Sequence, residues 1–320
     1  MENFLHPRLP PRVLHFPNSC GYSISRAGSL GPRIIPGSVD IAANQDRTMN
    51  RRIRVGAVNY LNSKPLVEGL SAFAPEIELS FDLPSRLADQ MAQGELDVGL
   101  IPVVELFRAG TYTMIPNIAI ASRGPVLSVT LFSRVPWSEI RSVALDEGSR
   151  TSAALTQVML QERSGIRPQV EQLPIDVPAD DLTTDAVLLI GDKAMRACLP
   201  GFEYAYDLGQ EWTDWTGLPF VFAVWAVRDG VDLGKTEAAF HRAKELGLSR
   251  AGSIAAREAP KLGLDPGYCR RYLTNIIRYD LGPQELAGLN RYYHHTADLG
   301  LAPHGVSLVH YHRPDLVESR

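Results

Sequence analysis

Two long runs of β-forming residues constrain the fold of this chain more than any other feature. They occupy residues 126–133 and 220–227, and neither contains Gly or Pro. Between them, and on both outer sides, short apolar strands alternate with helical patterns. The sequence therefore predicts an α/β chain in which a second lobe is inserted into the first, with the two runs crossing between the lobes as neighbouring strands.

The positions of the two runs give the predicted division of the chain. Residues 51–133 and 220–312 are expected to form a discontinuous first lobe, and residues 134–219 the second lobe. Each lobe should carry a mostly parallel sheet flanked by helices, with a cleft between the lobes. Residues 1–50 are rich in Pro, Gly, Ser and Arg without periodicity, so we expect a disordered extension that takes no part in the chemistry.

Composition and charge exclude several classes of function. The 320 residues carry a formal net charge of −4, so no basic face for nucleic acid is expected. No run of about 18 apolar residues occurs, and no apolar export segment precedes the first strand, so neither membrane insertion nor secretion is predicted. Three widely spaced cysteines fit a reducing compartment. We expect a cytoplasmic protein, either a monomer or a homodimer.

The sequence lacks the common motifs for cofactors and metals. It contains no phosphate-binding P-loop, no GxGxxG, no GxSxG and no HExxH segment. The histidines near the C-terminus have no Cys or carboxylate companions at ligand spacing. We therefore expect neither a cofactor nor a metal, and a small molecule is the predicted partner.

Polar residues at the ends of predicted strands are the first candidate ligand contacts. Ser149, Thr151 and Ser152 lie between a strand and a helix, where hydroxyls and free backbone N–H groups can bind a carboxylate or a phosphate. Ordinary capping of the helix by one of these hydroxyls is the simpler interpretation. Asn62 follows the first strand, in a loop that fits a ligand contact and an Asx turn equally well.

Two further positions are weaker candidates from the sequence alone. Ser128 lies in the first long run and could face the cleft, although a hydroxyl bonded to the backbone is at least as good an interpretation. Asp192 follows an apolar strand, where capping of the next helix is favoured over a ligand contact. Aromatic residues around the second run, such as Trp212 and Phe222, are expected to pack mainly in the core.

Seven segments, in order along the chain, resemble the chorismate dehydratase family of the futalosine route to menaquinone. The similarity runs from about residue 54 to residue 301, and GLPFVFAVWA at 217–226 is its most specific segment. The other segments are VGAVNYLNSKPL at 55–66, GELDVGLIPVVE at 94–105, GPVLSV at 124–129, SRTS at 149–152, LIGD at 189–192 and DLGQEW at 207–212.

The resemblance implies a fold of the type 2 periplasmic-binding-protein-like class that has become a lyase. The implied reaction removes water from chorismate and gives 3-[(1-carboxyvinyl)oxy]benzoate. Our hypothesis is that the enolpyruvyl carboxylate of the substrate removes a ring proton while a catalytic asparagine orients it, and that the helix start at 151–152 holds one carboxylate. The positions that match the family's substrate pocket are Asn62, Ser128, Ser149, Thr151, Ser152 and Asp192.

Two alternatives stay open at this point. The 1,4-dihydroxy-6-naphthoate synthases of the same pathway resemble this chain in fold. In those enzymes an Ile-His-Glu-type segment stands in place of Ile190, Gly191 and Asp192 of this chain. A Cys-Pro-Asn-Asp-type loop stands in place of this chain's residues 59–62. A non-catalytic binding protein for a small carboxylate would need export, for which the sequence shows no signal.

Overall fold

Strands and helices alternate along the part of the chain that the computed structural model describes, residues 52–174 and 182–312. The predicted extension over 1–50 lies outside these residues. The strands are β1 (Ile53–Val58), β2 (Ile77–Asp82), β3 (Val98–Pro102), β4 (Thr113–Ser122), β5 (Val129–Ser133), β6 (Ser142–Asp146), β7 (Gln169–Leu173), β8 (Ala186–Ile190), β9 (Tyr204–Asp207), β10 (Phe220–Val227), β11 (Ile277–Arg278) and β12 (Val309–His310). The helices are α1 (Lys64–Val67), α2 (Leu70–Phe73), α3 (Pro84–Ala92), α4 (Val104–Ala109), α5 (Arg150–Val158), α6 (Gly191–Ala194), α7 (Leu208–Thr216), α8 (Thr236–Ser249), α9 (Ala251–Leu262), α10 (Pro266–Arg271) and α11 (Pro283–Asp298).

These strands form two sheets. The first has the order β11-β4-β10-β3-β1-β2, with β12 paired to β4, and the second has the order β7-β6-β8-β5-β9. β1 pairs in parallel with β2 and β3, and β6 pairs in parallel with β7 and β8. β10 runs antiparallel to both of its neighbours, and so does β5. One strand direction therefore dominates each sheet, as predicted.

The two long runs do not cross between the sheets as neighbouring strands, and that prediction is wrong. β5 belongs to the second sheet and β10 to the first. The regular strand starts only at Val129, because Leu127 has a φ of 63°, which a continuous strand does not allow. The chain passes to the second sheet through residues 123–128 and returns through α7. The second sheet thus includes residues 129–133, which the sequence analysis assigned to the first lobe.

β4 and β9 lack the sequence pattern that is typical of a strand. β4 contains Pro116 and Asn117, which interrupt its apolar run, and Asn117 adopts a φ of 58°. Irregularities in the pairing of β4 with β10 accommodate this interruption. β9 has only four residues, too few for a clear alternation. Both strands are decided by their sheet partners rather than by local preference.

The segment over residues 266–278 is divided into three parts. α10 ends at Arg271, Tyr272–Ile276 form one π-helical turn, and Ile277–Arg278 pair with β4. The π turn places Tyr272 in the interior, where it is 1% exposed.

Aromatic side chains pack in the core, as expected for most of them. Trp212 meets Phe220 edge-on at 5.2 Å between ring centroids, and Phe220 lies 4.8 Å from Tyr292. Trp225 packs against Phe240 at 4.9 Å. Such edge-to-face pairs contribute about 0.5–1.5 kcal/mol each beyond their burial.

A buried carboxylate fastens the starts of β1 and β3 to the end of β10. Asp97 accepts hydrogen bonds from the backbone N–H and guanidinium of Arg54, and from Arg228 at 2.9 Å. Burial by itself would raise the pKa of Asp97, but the hydrogen bonds from Arg54 and Arg228 outweigh it and hold that pKa well below its usual range. The ionised carboxylate therefore stabilises the fold at neutral pH.

Asp97→Asn should lower the free energy of unfolding at pH 7 by about 2 kcal/mol, because hydrogen bonds to a charged acceptor are lost. The folded-state pKa lies below the unfolded value of about 3.9, so this stabilisation is complete above that pH and disappears as the pH falls below it. Urea unfolding at several pH values should show the difference between wild type and variant shrink on acidification. Asp82→Asn is the control, since the Asp82 partner Arg86 is 60% exposed. An equal loss in both variants would contradict the prediction.

Candidate active site

A cavity lies where the ends of first-sheet strands approach the starts of α5 and α6. It encloses about 520 Å³ of space that is partly open to solvent. Its apolar walls include Val58, Pro102, Ile120, Val129, Ile190 and Phe222. Its polar groups come from Tyr60, Asn62, Ser128, Ser149 and Ser152. Apolar walls with a few convergent polar groups are the usual form of a ligand site.

Four of the predicted site residues line this cavity together. Asn62 follows β1, Ser128 belongs to the segment that leads into β5, and Ser149 and Ser152 start α5. They reach the cavity from both sheets, although as many as 90 residues separate them along the chain. The sequence indicated Asn62, Ser149 and Ser152 by their places after a strand or before a helix, and Ser128 by its place in the first long run.

Thr151 and Asp192 lie beside the cavity but are not among its lining residues. The Thr151 hydroxyl accepts from the backbone N–H of Val104 at 3.2 Å, and its carbonyl accepts from the Tyr292 hydroxyl at 2.9 Å. Asp192 accepts from the backbone N–H of Leu61 at 3.0 Å. Thr151 therefore connects α5, which follows β6 of the second sheet, to the start of α4. Asp192 connects α6, which follows β8, to the loop after β1.

The start of α5 presents hydroxyl groups in a fixed order. Ser149 Oγ accepts from the backbone N–H of Ser152 at 3.3 Å, so Ser149 caps the helix. Ser149 Oγ also donates to Ser152 Oγ at 2.8 Å. Because Ser152 Oγ accepts this bond, its own proton stays available, and it has no acceptor within residues 52–174 and 182–312. The helix start combines this donor with backbone N–H groups that favour an anion.

The loop that carries Asn62 is held in place from the second sheet. Besides the bond from Leu61 to Asp192, the Tyr60 ring packs directly on Gly191. A Cβ atom at Gly191 would come within 2.8 Å of that ring, and Gly191 also has a φ of 64°. Only glycine satisfies both conditions, so this close approach depends on Gly191.

Asp207 fixes the segment that carries Ser128. Its buried carboxylate accepts from the backbone N–H groups of Val126 and Leu127 at 3.0 and 2.7 Å. It also caps α7 by accepting from Gly209 and Gln210. Sequence analysis did not select Asp207, although an Asp before a helical pattern is an N-cap signal. A Cβ at Gly209 would lie 2.8 Å from the Gly124 carbonyl, so glycine permits the close packing of α7 on this segment.

Tyr272 is a second residue that the sequence did not indicate. Its hydroxyl donates to Ser128 Oγ at 2.8 Å. It is 144 residues from Ser128 in the chain and belongs to a helical pattern with no polar motif. No local signal could have revealed it.

The electrostatics of the site come from neutral groups. None of the described residues that line the cavity carries a formal charge. Burial raises the pKa of Tyr60, to which the nearby Asp146 and Asp192 contribute further, and burial also raises the pKa of Tyr272. Both hydroxyls therefore stay protonated at neutral pH. Burial likewise raises the pKa of Asp192, against the effect of the Leu61 N–H group.

Two negative findings concern the described residues. Within 52–174 and 182–312, no group of three or more His, Cys, Asp or Glu side chains is arranged to hold a metal ion. In the same residues, no helix combines the length and apolar character needed to cross a membrane.

Solved structures share this architecture. A protein from Archaeoglobus fulgidus matches with a TM-score of 0.64 at 17% identity, covering 78% of this chain and 98% of that protein. The periplasmic aliphatic sulphonate binding protein of Escherichia coli matches with a TM-score of 0.56 at 17% identity, covering 82% and 94%. The fold is therefore periplasmic-binding-protein-like, as predicted. Residues from elements of both sheets line its cavity.

Sequence comparison identifies a particular family within this fold class. A family described as menaquinone biosynthesis matches residues 53–298. A chorismate dehydratase from Thermus thermophilus is 32% identical over 256 residues, covering 74% of this chain and 93% of that protein. A chorismate dehydratase from Campylobacter jejuni is 26% identical over 243 residues, covering 76% and 93%. The chain belongs to the chorismate dehydratase family of menaquinone biosynthesis, which confirms the resemblance of its seven segments.

Asp207→Asn should destabilise the protein, because an amide has one acceptor oxygen where the carboxylate serves four backbone N–H groups. Leaving buried N–H groups unpaired costs about 1–3 kcal/mol, and urea unfolding at pH 7 should show a loss of that size. Asp214→Asn on the same helix is the control, since Asp214 is exposed and should change stability by less than about 0.5 kcal/mol. Equal stability of the two variants would show that Asp207 does not hold the segment.

Proposed function

We propose that this chain dehydrates chorismate to 3-[(1-carboxyvinyl)oxy]benzoate. The observation that carries the proposal is the shared cavity, because Asn62 and the 149–152 turn face the same space rather than different surfaces. Membership of the chorismate dehydratase family indicates that the substrate is chorismate. The first step of the futalosine route, which rests on the sequence resemblance, and a cytoplasmic location, which rests on the three widely spaced cysteines, are part of this proposal.

The reaction balances without a cofactor. A base removes one ring proton, the ring hydroxyl leaves with its bonding electrons, and proton and hydroxide together make water. The ring becomes aromatic, which makes the overall reaction strongly favourable. Among the described residues that line the cavity, none offers a carboxylate, Lys or His side chain as the base. This supports the hypothesis that the substrate's own enolpyruvyl carboxylate takes the proton, with Asn62 orienting that carboxylate.

Neutral donors fit a substrate that carries two carboxylates. The start of α5 offers backbone N–H groups and the Ser152 hydroxyl for one carboxylate, and this arrangement supports the proposed anion clamp. The apolar walls, including Phe222 and Ile120, suit the ring. Thr151 serves this clamp indirectly by joining α5 to the start of α4 through Val104. A site that excludes water strengthens each of these interactions.

The function is tested by incubating the purified full chain with chorismate, with and without a chelator, and identifying the products by mass. We expect a product lighter by one water, with an aromatic absorbance, at the same rate in both samples. Chorismate that binds but is recovered unchanged would favour the binding-protein alternative instead. No binding and no product would reject the proposal.

Ser152→Ala should lower kcat/KM about tenfold to a hundredfold, because one hydrogen bond to a charged group is lost. Thr151→Val is the matched control from the same helical turn. Its hydroxyl faces Val104 rather than the cavity, so that variant should lose stability more than activity. Steady-state kinetics with thermal unfolding of both variants checks this. Wild-type kinetics for Ser152→Ala would remove it from the clamp.

Asn62→Ala and Asn62→Asp should both lower kcat by at least about tenfold. The first variant removes the amide that orients the substrate carboxylate. The second puts a negative charge beside that carboxylate, so its KM should also rise. Kinetics with chorismate over a range of concentrations separates the two effects. Turnover close to wild type in either variant would contradict the orienting role.

A further inference from the structure

Tyr272 lies behind the cavity, and its hydroxyl bonds to Ser128, which lines the cavity. Tyr272 is 1% exposed and starts the π-helical turn that follows α10 and precedes β11. Single π-helical turns often occur at functional sites.

The protons of these two hydroxyls can be counted. Ser128 Oγ accepts from Tyr272 at 2.8 Å, and its own proton meets only the Val126 carbonyl at 3.4 Å, a weak contact. Because Tyr272 has one hydroxyl proton and donates it to Ser128, the proton of Ser128 is free to turn toward a ligand in the cavity.

We propose that Tyr272 is a positioning residue that makes Ser128 a hydrogen-bond donor toward an oxygen of the substrate that is, or becomes, negatively charged. This inference rests on the proposed function and deepens it. A donor fixed before the reaction stabilises developing charge without reorganising, which lowers the barrier of the chemical step more than it improves binding. Loss of the Tyr272 hydroxyl should therefore reduce kcat rather than raise KM.

Tyr279 provides a matched control within the same region. Like Tyr272 it is buried, at 3% exposure, and its hydroxyl has no hydrogen-bond partner within the part of the chain that the structure describes. The change Tyr279→Phe therefore removes the same atom from a similarly buried ring without touching the cavity. Any general effect of deleting a buried hydroxyl appears in this variant as well.

The test uses the full chain, with turnover of chorismate measured first on the wild type. Tyr272→Phe should lower kcat about tenfold to a hundredfold while KM changes less than about threefold. Tyr279→Phe should match wild type in both constants, and thermal unfolding should show both variants folded. A Tyr272→Phe enzyme with the kcat of Tyr279→Phe would overturn the inference and leave the proposed function intact.

A double-variant cycle supplies the second measurement. Ser128→Ala should show a similar loss of kcat, and Ser128→Ala combined with Tyr272→Phe should be little slower than the slower single variant, because both act through one donor. Fully multiplicative losses would overturn the inference. If Tyr272→Phe fails to fold, Ser128→Ala decides alone, and an unchanged kcat there rejects the donor role. A wild type without turnover overturns the proposed function and this inference together.

Discussion

The carboxylate of Asp207 is the interaction on which the site depends most. The chain must pass between two sheets at residues 123–128, and it does so with Leu127 in a left-handed conformation. A left-handed conformation is costly for a residue with a branched side chain. The backbone N–H groups of this segment are also removed from solvent and need partners. Asp207 pairs them and at the same time caps α7, so one side chain holds both the outgoing and the returning connection. Ser128 takes its position from this arrangement.

The cavity that results binds charge with dipoles rather than with opposite charge. Its described lining has hydroxyls, an amide and a helix start, and no ionised side chain. Interactions of this kind are directional, so their worth depends on each donor being aimed before the ligand arrives. Ser149 donates to Ser152, and Tyr272 donates to Ser128. The nearby ionisable group Asp192 serves the backbone of the Asn62 loop instead. This arrangement supports the proposal that a carboxylate of the substrate acts as the base.

Local sequence patterns were reliable where an element is defined by its own residues. β10 has the bounds of the second long run, residues 220–227. The patterns failed where partners decide the structure. β4 includes Pro116 and was missed, the helical pattern after Pro266 gave no sign of the π turn at Tyr272, and residues 126–128 read as strand although Asp207 holds them in another conformation. In each case a contact distant in sequence outweighs the local preference.

By itself, the sequence determined the family and the alternation of strands and helices. It offered Asn62, Ser128, Ser149 and Ser152 as candidate site residues, because they stand in or beside strands and helix starts that short-range patterns reveal. Only the tertiary structure decided which polar groups they meet. Thr151 and Asp192 have backbone partners 47 and 131 residues away, and Tyr272 reaches Ser128 across 144. A hydroxyl or carboxylate has the same local signature whether it faces a ligand or a backbone N–H group. The difference lies in the packing of elements that the chain brings together from far apart.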